Sequence, residues 1–306
     1  MLNIKSIMKN AYNKGIVIPA FNISYLPMVE PIASTLKNLK TFGLIEVSRP
    51  EVMKFEAKSF ADVVEYYKKY ADKNFVRLHL DHIPVIDEDG KKVLWRELIK
   101  NGIELGYDSV MIDGSRLSFE ENINVTKEVV NMASEKNIPV EAELGAVLGH
   151  ETVTILPYEE LFSTGKGFTS IEEAEQFVSQ TKVDWLSVAI GNIHGAITGI
   201  AKHQTKVKAR LNIEHLKKIK KVTNIPIVLH GGSGVDRNYV LEGIKNGIAK
   251  VNVSTEVRQV YEVALKEKPG DIDNAQKKLS LKLEELIRKY YNIENSVYLI
   301  TDLNRD

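Results

Sequence analysis

The sequence of 306 residues contains no cysteine, which excludes disulfide bonds and thiolate metal ligands. It also lacks an excess of charge of either sign, because 41 lysines and arginines balance 41 aspartates and glutamates. This balance gives no reason to expect nucleic acid or a membrane surface as a partner. The lack of cysteine is compatible with a cytoplasmic protein.

Long hydrophobic runs are absent as well. No uncharged apolar stretch approaches the roughly 18 residues that a membrane-spanning helix needs. Lys5, Lys9 and Lys14 interrupt the first segment, which therefore has no apolar core of the kind found in signal peptides. We expect a cytoplasmic protein without a membrane anchor.

What the sequence does contain is a regular succession of short β-branched runs with helical patterns between them. The runs cover residues 16–22, 43–48, 75–81, 109–113, 138–144, 185–190, 225–230 and 249–253. Eight strands that alternate with helices predict an α/β fold, the (β/α)8 TIM barrel. A doubly wound open sheet is the alternative, but no GxGxxG motif follows the first strand. We expect one barrel domain over residues 1–306, with a helical extension from about residue 271.

Two connections are longer than is usual between a strand and a helix. One covers residues 83–95 and carries a turn signal at Asp89 and Gly90, and the other runs from Gly145 to about Ser170. Long loops that follow barrel strands often contribute to function, so both are candidates for parts of a site.

Polar residues end the predicted strands, and the carboxyl ends of barrel strands meet at one mouth. In strand order these residues are Asn22, Ser48, Asp81, His82, Asp113, Glu143, His194, His230 and Asn252. Three histidines that converge on one mouth predict a divalent metal site at His82, His194 and His230, since three imidazoles with an open fourth position are typical of catalytic zinc. His79 lies in the same strand as His82 with the opposite parity, which makes it a core or supporting group.

Asp81 and His82 are adjacent, although alternation points neighbouring strand residues to opposite faces. Both can reach the mouth only if the strand ends or twists at position 81. The same mouth contains two segments that favour a phosphate. HGGSG (230–234) offers unobstructed backbone N–H groups, and Ser254 and Thr255 begin a helix. A plain helix cap with a tight turn is the alternative.

Segments spread over most of the chain also resemble a known family. They are PAFN (19–22), LHLDH (78–82), SVMIDGS (109–115), FEENI (119–123), VEAELG (140–145), VAIGNIHG (188–195), VLHGGSG (228–234) and KVNVSTE (250–256). In this order they resemble the class II, metal-dependent fructose-bisphosphate and tagatose-bisphosphate aldolases. The resemblance implies reversible cleavage of a ketose (bis)phosphate, fructose 1,6-bisphosphate first, to dihydroxyacetone phosphate and an aldehyde such as glyceraldehyde 3-phosphate. Tagatose 1,6-bisphosphate or another ketose phosphate is the alternative substrate.

The resemblance also implies roles for individual residues. His82, His194 and His230 would hold zinc or another divalent metal, with Glu143 beside it, and a monovalent cation is a further candidate. Asp81 would exchange a proton with the C4 hydroxyl, and Glu151 would move the proton at the enolising carbon. The candidates for binding substrate and phosphate are Asn22, Ser48, Gly195, Gly231, Ser233, Asn252, Ser254 and Thr255. A homodimer or homotetramer is expected.

The sequence departs from the family pattern around the mouth. Ile83 opens the long 83–95 segment where the family usually has glycine, and SRPEV (48–52) replaces a Ser-x-Gly-Ala pattern. Arg49 could there bind an anion or be an ordinary surface residue. Three other functions remain open: a Schiff-base aldolase that uses Lys250, a metal-dependent hydrolase, and a non-catalytic sugar-phosphate sensor.

Overall fold

Eight parallel strands close into a barrel in the order of the chain, and the last strand pairs with the first. The computed structural model describes residues 2–145, 158–192, 209–232 and 234–304. The strands are Ile18–Asn22 (β1), Gly43–Val47 (β2), Val76–Pro84 (β3), Ser109–Asp113 (β4), Val140–Leu144 (β5), Trp185–Val188 (β6), Ile227–Leu229 (β7) and Ile248–Val253 (β8). The predicted TIM barrel is confirmed, and a closed barrel excludes the open sheet.

Helices lie between the strands in the described residues. The α-helices are Ile4–Lys14 (α1), Val29–Asn38 (α2), Arg49–Lys54 (α3), Phe60–Tyr70 (α4), Trp95–Leu105 (α5), Phe119–Ser134 (α6), Tyr158–Thr164 (α7), Ile171–Thr181 (α8), Ile213–Thr223 (α9), Arg237–Lys245 (α10), Thr255–Glu267 (α11), Ile272–Glu284 (α12) and Val297–Ile300 (α13). Leu26–Met28 is a short 3-10 helix, and Glu285–Tyr291 is a π-helix. None of the helices in these ranges is long and apolar enough to cross a membrane.

The strands read as continuous apolar runs because both of their faces are covered, as is usual in parallel sheets. Every residue of β1, β2 and β5 is buried. The charged residues on these strands are therefore exceptions that need partners, since an unpaired buried charge is costly. Glu46, His79, Glu141 and Lys250 are all fully buried inside the barrel.

A bulge in β3 turns Asp81 and His82 towards the same mouth. Leu80 lies opposite Val110 of β4, but the next pair is Ile83 with Ile112, so two residues of β3 face one residue of β4. His82 has φ +33°, which is unusual for a residue other than glycine. Bulges of this kind re-aim side chains next to active sites. The expected departure from a regular strand at position 81 is thus present.

The C-terminal tail packs against the N-terminal end of the barrel. The backbone N–H groups of Asn295 and Val297 donate to the carbonyl oxygens of Leu39 (2.9 Å) and Lys40 (3.1 Å), just before β2. Asn10 of α1 donates its side-chain amide to the carbonyl of Ile300 at 3.0 Å. We propose that the tail belongs to the same folding unit as the barrel.

This proposal predicts that Ile300→Ala lowers the stability of the whole barrel. Ile300 is fully buried, whereas its neighbour Leu299 is 45% exposed. Removing a buried isoleucine side chain costs about 2–5 kcal/mol, so the midpoint of thermal unfolding should fall in one cooperative transition. Leu299→Ala is the matched control and should leave the midpoint almost unchanged. Equal midpoints for the two variants would show that the tail contributes nothing.

Candidate metal centre

Two imidazoles face each other at the mouth of the barrel. The ring centroids of His82, at the end of β3, and His230, just after β7, are 4.5 Å apart. Glu143 at the end of β5 lies with Oε2 3.1 Å from Nδ1 of His230 and 4.0 Å from Nδ1 of His82. Asp113 Oδ2 is 3.4 Å from Nδ1 of His82. The two predicted histidines and Glu143 are therefore brought together.

The spacing of these atoms suits a metal ion. Among the described residues, three groups place one ligand atom from each member within 4.8 Å of the others. They are Asp81–His82–His230, His82–Asp113–Glu143 and Glu46–His79–Asp81. The first two share His82 and lie at the mouth, whereas the third lies deeper in the barrel. His194, the third predicted ligand, lies outside the described residues.

The charges around the two rings favour a cation. Burial lowers the pKa of both imidazoles, but the surrounding carboxylates outweigh it and raise the pKa of His82 well above its ordinary value and that of His230 as well. The dominant partner of His82 is Asp81, and His230 bonds to Glu141 and Glu143. A divalent cation would supply the positive charge that this cluster of carboxylates favours.

The Nε2 atom of His230 contacts a carboxylate that lies deeper in the barrel. Nε2 is 2.8 Å from Oε1 of Glu141, and Oε2 of the same carboxylate accepts a bond from Lys250 Nζ at 2.9 Å. A carboxylate behind an imidazole is the usual partner of a metal-bound histidine, because it fixes the orientation of the ring and its tautomer. The structure therefore leaves Nδ1 of His230 facing the mouth. The donor set fits a divalent metal.

Lys250 is held between two acids in the barrel interior. Its Nζ lies 2.9 Å from Glu141 and 3.2 Å from Glu46, and it is fully buried. Burial lowers the pKa of this amine, but the two carboxylates dominate and raise it above its ordinary value. A Schiff-base lysine must instead lose its proton readily, so this geometry disfavours the Schiff-base alternative.

His79 is a buried core residue. This is one of the two roles that were expected from its position in the strand. Its Nδ1 bonds to the hydroxyl of Ser109 at 2.8 Å, and Nε2 lies 3.5 Å from Glu141. Burial, with the charge of Lys250 next to it, lowers the pKa of His79 to about 3. This imidazole is therefore neutral at physiological pH and adds no charge beneath the metal centre.

Asp81 is held by two amides. The side chain of Asn22 donates to Oδ2 and that of Asn252 to Oδ1, each at 3.0 Å. Burial raises the pKa of this carboxyl, but the nearby charges of His82 and Lys250 outweigh it and lower the pKa below its ordinary value. Asp81 is therefore an oriented carboxylate next to a candidate metal ligand.

A cavity of about 250 Å³ extends from these residues to the candidate phosphate side. Gly231, Gly232, Ser254 and Thr255 line it, together with Asn22, Ser48, Asp81, His82 and Asn252. Gly231 has φ +65°, a left-handed conformation that glycine adopts without strain. Ser254 precedes α11 and makes no capping bond with its side chain. These residues thus share one cavity with the candidate metal ligand His82.

Ser48 is engaged by its own helix. Its backbone N–H donates to Glu51 Oε2 at 2.8 Å, and its hydroxyl donates to the same oxygen. Arg49 pairs with Asp87 through Nη1 and Oδ2 at 3.3 Å, so it ties the 83–95 segment to α3. Neither of the two roles considered for Arg49, anion binding or a plain surface position, describes this contact.

Some predicted residues fall outside the described part of the chain. They are Glu151, His194, Gly195 and Ser233. Their roles stay predictions. Sequence reasoning also overlooked Glu141 and Glu46 and considered Lys250 only as a nucleophile. The signal for Glu141 was present, because Glu141 and Glu143 lie two apart in a buried strand and so point to the same face.

Comparisons with known proteins agree on one family. A family model described as "Fructose-bisphosphate aldolase class-II" matches residues 2–297. The crystal structure of the YdjI aldolase from Escherichia coli K12 has a TM-score of 0.75 and 29% identity, with 95% of this chain and 97% of that chain covered.

Two further structures are similar in fold. A putative fructose-1,6-biphosphate aldolase from Coccidioides immitis is 24% identical, with a TM-score of 0.75 and coverage of 96% of this chain and 98% of that chain. The fructose-bisphosphate aldolase from Campylobacter jejuni is 18% identical, with a TM-score of 0.74 and 95% of both chains covered.

The contact between Glu141 and His230 predicts that Glu141→Gln weakens binding of a divalent metal about 10- to 100-fold. The amide keeps the size of the side chain but no longer supplies the charge that orients the ring. Competition with a chromophoric chelator measures the affinity for zinc directly. Glu120→Gln, which makes the same change at an exposed position of α6, is the control. Unchanged zinc affinity in the Glu141 variant would contradict the assignment.

Proposed function

The chain belongs to the class II fructose-bisphosphate aldolase family, and from this premise we propose that it cleaves a ketose phosphate reversibly with zinc held by His82, His194 and His230. The products are dihydroxyacetone phosphate and an aldehyde. Class II aldolases depend on a metal, and the spacing within the groups Asp81–His82–His230 and His82–Asp113–Glu143 supports the assignment to this centre. Fructose 1,6-bisphosphate is the first substrate to test, and tagatose 1,6-bisphosphate and other ketose phosphates are the alternatives.

The observation that carries the proposal is the position of Asp81. Cleavage of the C3–C4 bond requires a base that removes the proton of the C4 hydroxyl. Asp81 is ionised, held through both oxygens by Asn22 and Asn252, and adjacent to His82 in the bulge. A carboxylate in this position can accept that proton and return it in the condensation direction.

The electrons of the broken bond pass to the carbon next to the carbonyl, which becomes an enediolate. A divalent cation, when bound, acts as a Lewis acid and stabilises the negative charge that develops on the carbonyl side. Glu151 is proposed to protonate the enediolate carbon. Asn22 faces the same cavity and is proposed to position the enediolate.

The phosphate of the dihydroxyacetone half is assigned to the loops after β7 and β8. Gly195, Gly231, Ser233, Asn252, Ser254 and Thr255 are proposed to hold it. Support comes from the cavity that Gly231 and Thr255 line together with Asp81 and His82. In TIM barrels this position after the last two strands frequently binds phosphate.

We place the protein in the cytoplasm as a homodimer or homotetramer, and a monovalent cation is a further candidate cofactor. Of the alternative functions, the buried and protonated Lys250 argues against a Schiff-base aldolase. A hydrolase differs from an aldolase in the products that it releases, and a sensor differs from both because it releases none.

Asp81→Asn should lower kcat of ketose phosphate cleavage about 10²- to 10⁴-fold. The amide has the size of the carboxylate but cannot accept the proton of the C4 hydroxyl. Release of triose phosphate, coupled to oxidation of a nicotinamide cofactor, measures the rate. Asp273→Asn on the exposed side of α12 is the matched control and should be as active as the parent. Full activity of the Asp81 variant would contradict the assignment of the base.

A second test distinguishes the classes of enzyme. Chelation should abolish cleavage and added zinc should restore it, because the metal stabilises the enediolate. Borohydride added with substrate should leave activity intact, since no imine forms on Lys250. Release of inorganic phosphate in place of triose phosphate would instead identify a hydrolase, and binding without turnover would identify a sensor.

A further inference from the structure

The long 83–95 segment folds as a small hairpin at the mouth. The N–H of Val93 donates to the carbonyl of Val85 at 3.0 Å, and Ile86 pairs with Lys92 in an antiparallel bridge. Asp87 closes the turn, because its Oδ1 accepts the N–H groups of Asp89 at 3.1 Å and Lys91 at 2.9 Å. The turn expected from Asp89 and Gly90 is present, and Gly90 has φ +76°.

Two ion pairs fix this hairpin to α3. Arg49 reaches Asp87 at 3.3 Å, with 22% and 6% of the two side chains exposed, and Lys54 pairs with Glu88. The 48–52 segment and the 83–95 segment are the two main departures from the family pattern in the first half of the chain. These ion pairs join the two segments into one wall.

The wall lines a different side of the cavity from the candidate phosphate residues. Pro50 and Glu51 of α3 and Ile86 and Glu88 of the hairpin contribute to the lining. The candidate phosphate residues come from the loops after β7 and β8, whereas the wall follows β2 and β3. A ketose phosphate whose C1 phosphate lies at the first side therefore directs the carbons beyond C4 towards the wall.

The charges of the wall are unsuited to a second phosphate. Arg49 and Lys54 are both neutralised by acids of the hairpin. Among the described lining residues, Arg116 is the single lysine or arginine, whereas Glu51, Asp81, Glu88 and Asp113 contribute four acids, of which Glu88 is itself paired with Lys54. A phosphate carries a charge of about −1.5 to −2 at neutral pH and mainly accepts hydrogen bonds, whereas sugar hydroxyls donate to carboxylates.

We propose that the wall of α3 and the hairpin selects an uncharged, hydroxylated aldehyde over a phosphorylated one, so that the substrate is a ketose 1-phosphate without a second phosphate. This inference rests on the proposed aldolase function and assigns Glu88 as a residue that determines specificity. Fructose 1,6-bisphosphate is then a poor substrate for this chain, although the cleavage mechanism is unchanged.

The test uses two aldehydes that differ in one group. Zinc-loaded full-length protein is given dihydroxyacetone phosphate with either D-glyceraldehyde or D-glyceraldehyde 3-phosphate, and kcat/KM is measured for each. We expect the unphosphorylated aldehyde to be preferred about tenfold or more, because acids close to a dianion repel it even through screening solvent. A preference for the phosphorylated aldehyde overturns the inference.

Charge reversal at the wall tests the part played by Glu88. Glu88→Lys should shift the ratio of the two kcat/KM values towards the phosphorylated aldehyde by about tenfold. Glu104→Lys makes the same change at the far end of α5, where the side chain is exposed, and should leave the ratio unchanged. Equal ratios in the two variants would overturn the role of Glu88.

An independent measurement separates this inference from the function on which it rests. Exchange of a carbon-bound proton of dihydroxyacetone phosphate with deuterated water requires the metal and the enolising groups but no aldehyde. If zinc-loaded protein does not catalyse the exchange, the proposed function fails, and the inference fails with it. If exchange occurs while the aldehyde preference is reversed, only the inference fails.

Discussion

The candidate site depends on one extra residue in β3. In a regular strand, Asp81 and His82 would point to opposite faces, and one of them would lie among the apolar helices that surround the barrel. The bulge between Leu80 and Ile83, with His82 at φ +33°, brings both side chains to the mouth. The proposed base and the candidate metal ligand are therefore neighbours in the chain, and strain at one residue positions two groups.

Below the mouth, a chain of buried charges supports the site. Glu141 contacts His230 on one side and Lys250 on the other, and Lys250 also contacts Glu46. Burial raises the pKa of Glu46 well above its ordinary value, and the nearby Asp81 adds to the effect. Lys250 places one positive charge between the two acids, 3.2 Å from Glu46 and 2.9 Å from Glu141. Buried ion pairs of this kind add little to stability by themselves but are costly to break singly, which suits them to orient a ligand.

The fold followed from the sequence because its signals are local. Residues 109–113 match β4, and the run at 185–190 extends only two residues beyond Trp185–Val188. The strand-end rule likewise placed His82, His230 and Glu143 together. The contacts that join distant segments were not predictable: Arg49 with Asp87 depends on how a hairpin folds, and Glu141 with Lys250 depends on the register of β5 and β8. Neither leaves a periodic pattern in the sequence.

These two kinds of contact correspond to two parts of the proposed site, one assigned to the chemistry and one to the selection of the substrate. Asp81, His82 and His230, to which the proton of the C4 hydroxyl and the metal are assigned, lie at strand ends, which the closed barrel holds rigid. The wall belongs to a six-residue helix and a hairpin that stand on loops, and it reaches the cavity through Glu51 and Glu88. Loops can change while the strands stay in place. A change in the wall can therefore alter which aldehyde is released without moving Asp81 relative to His82.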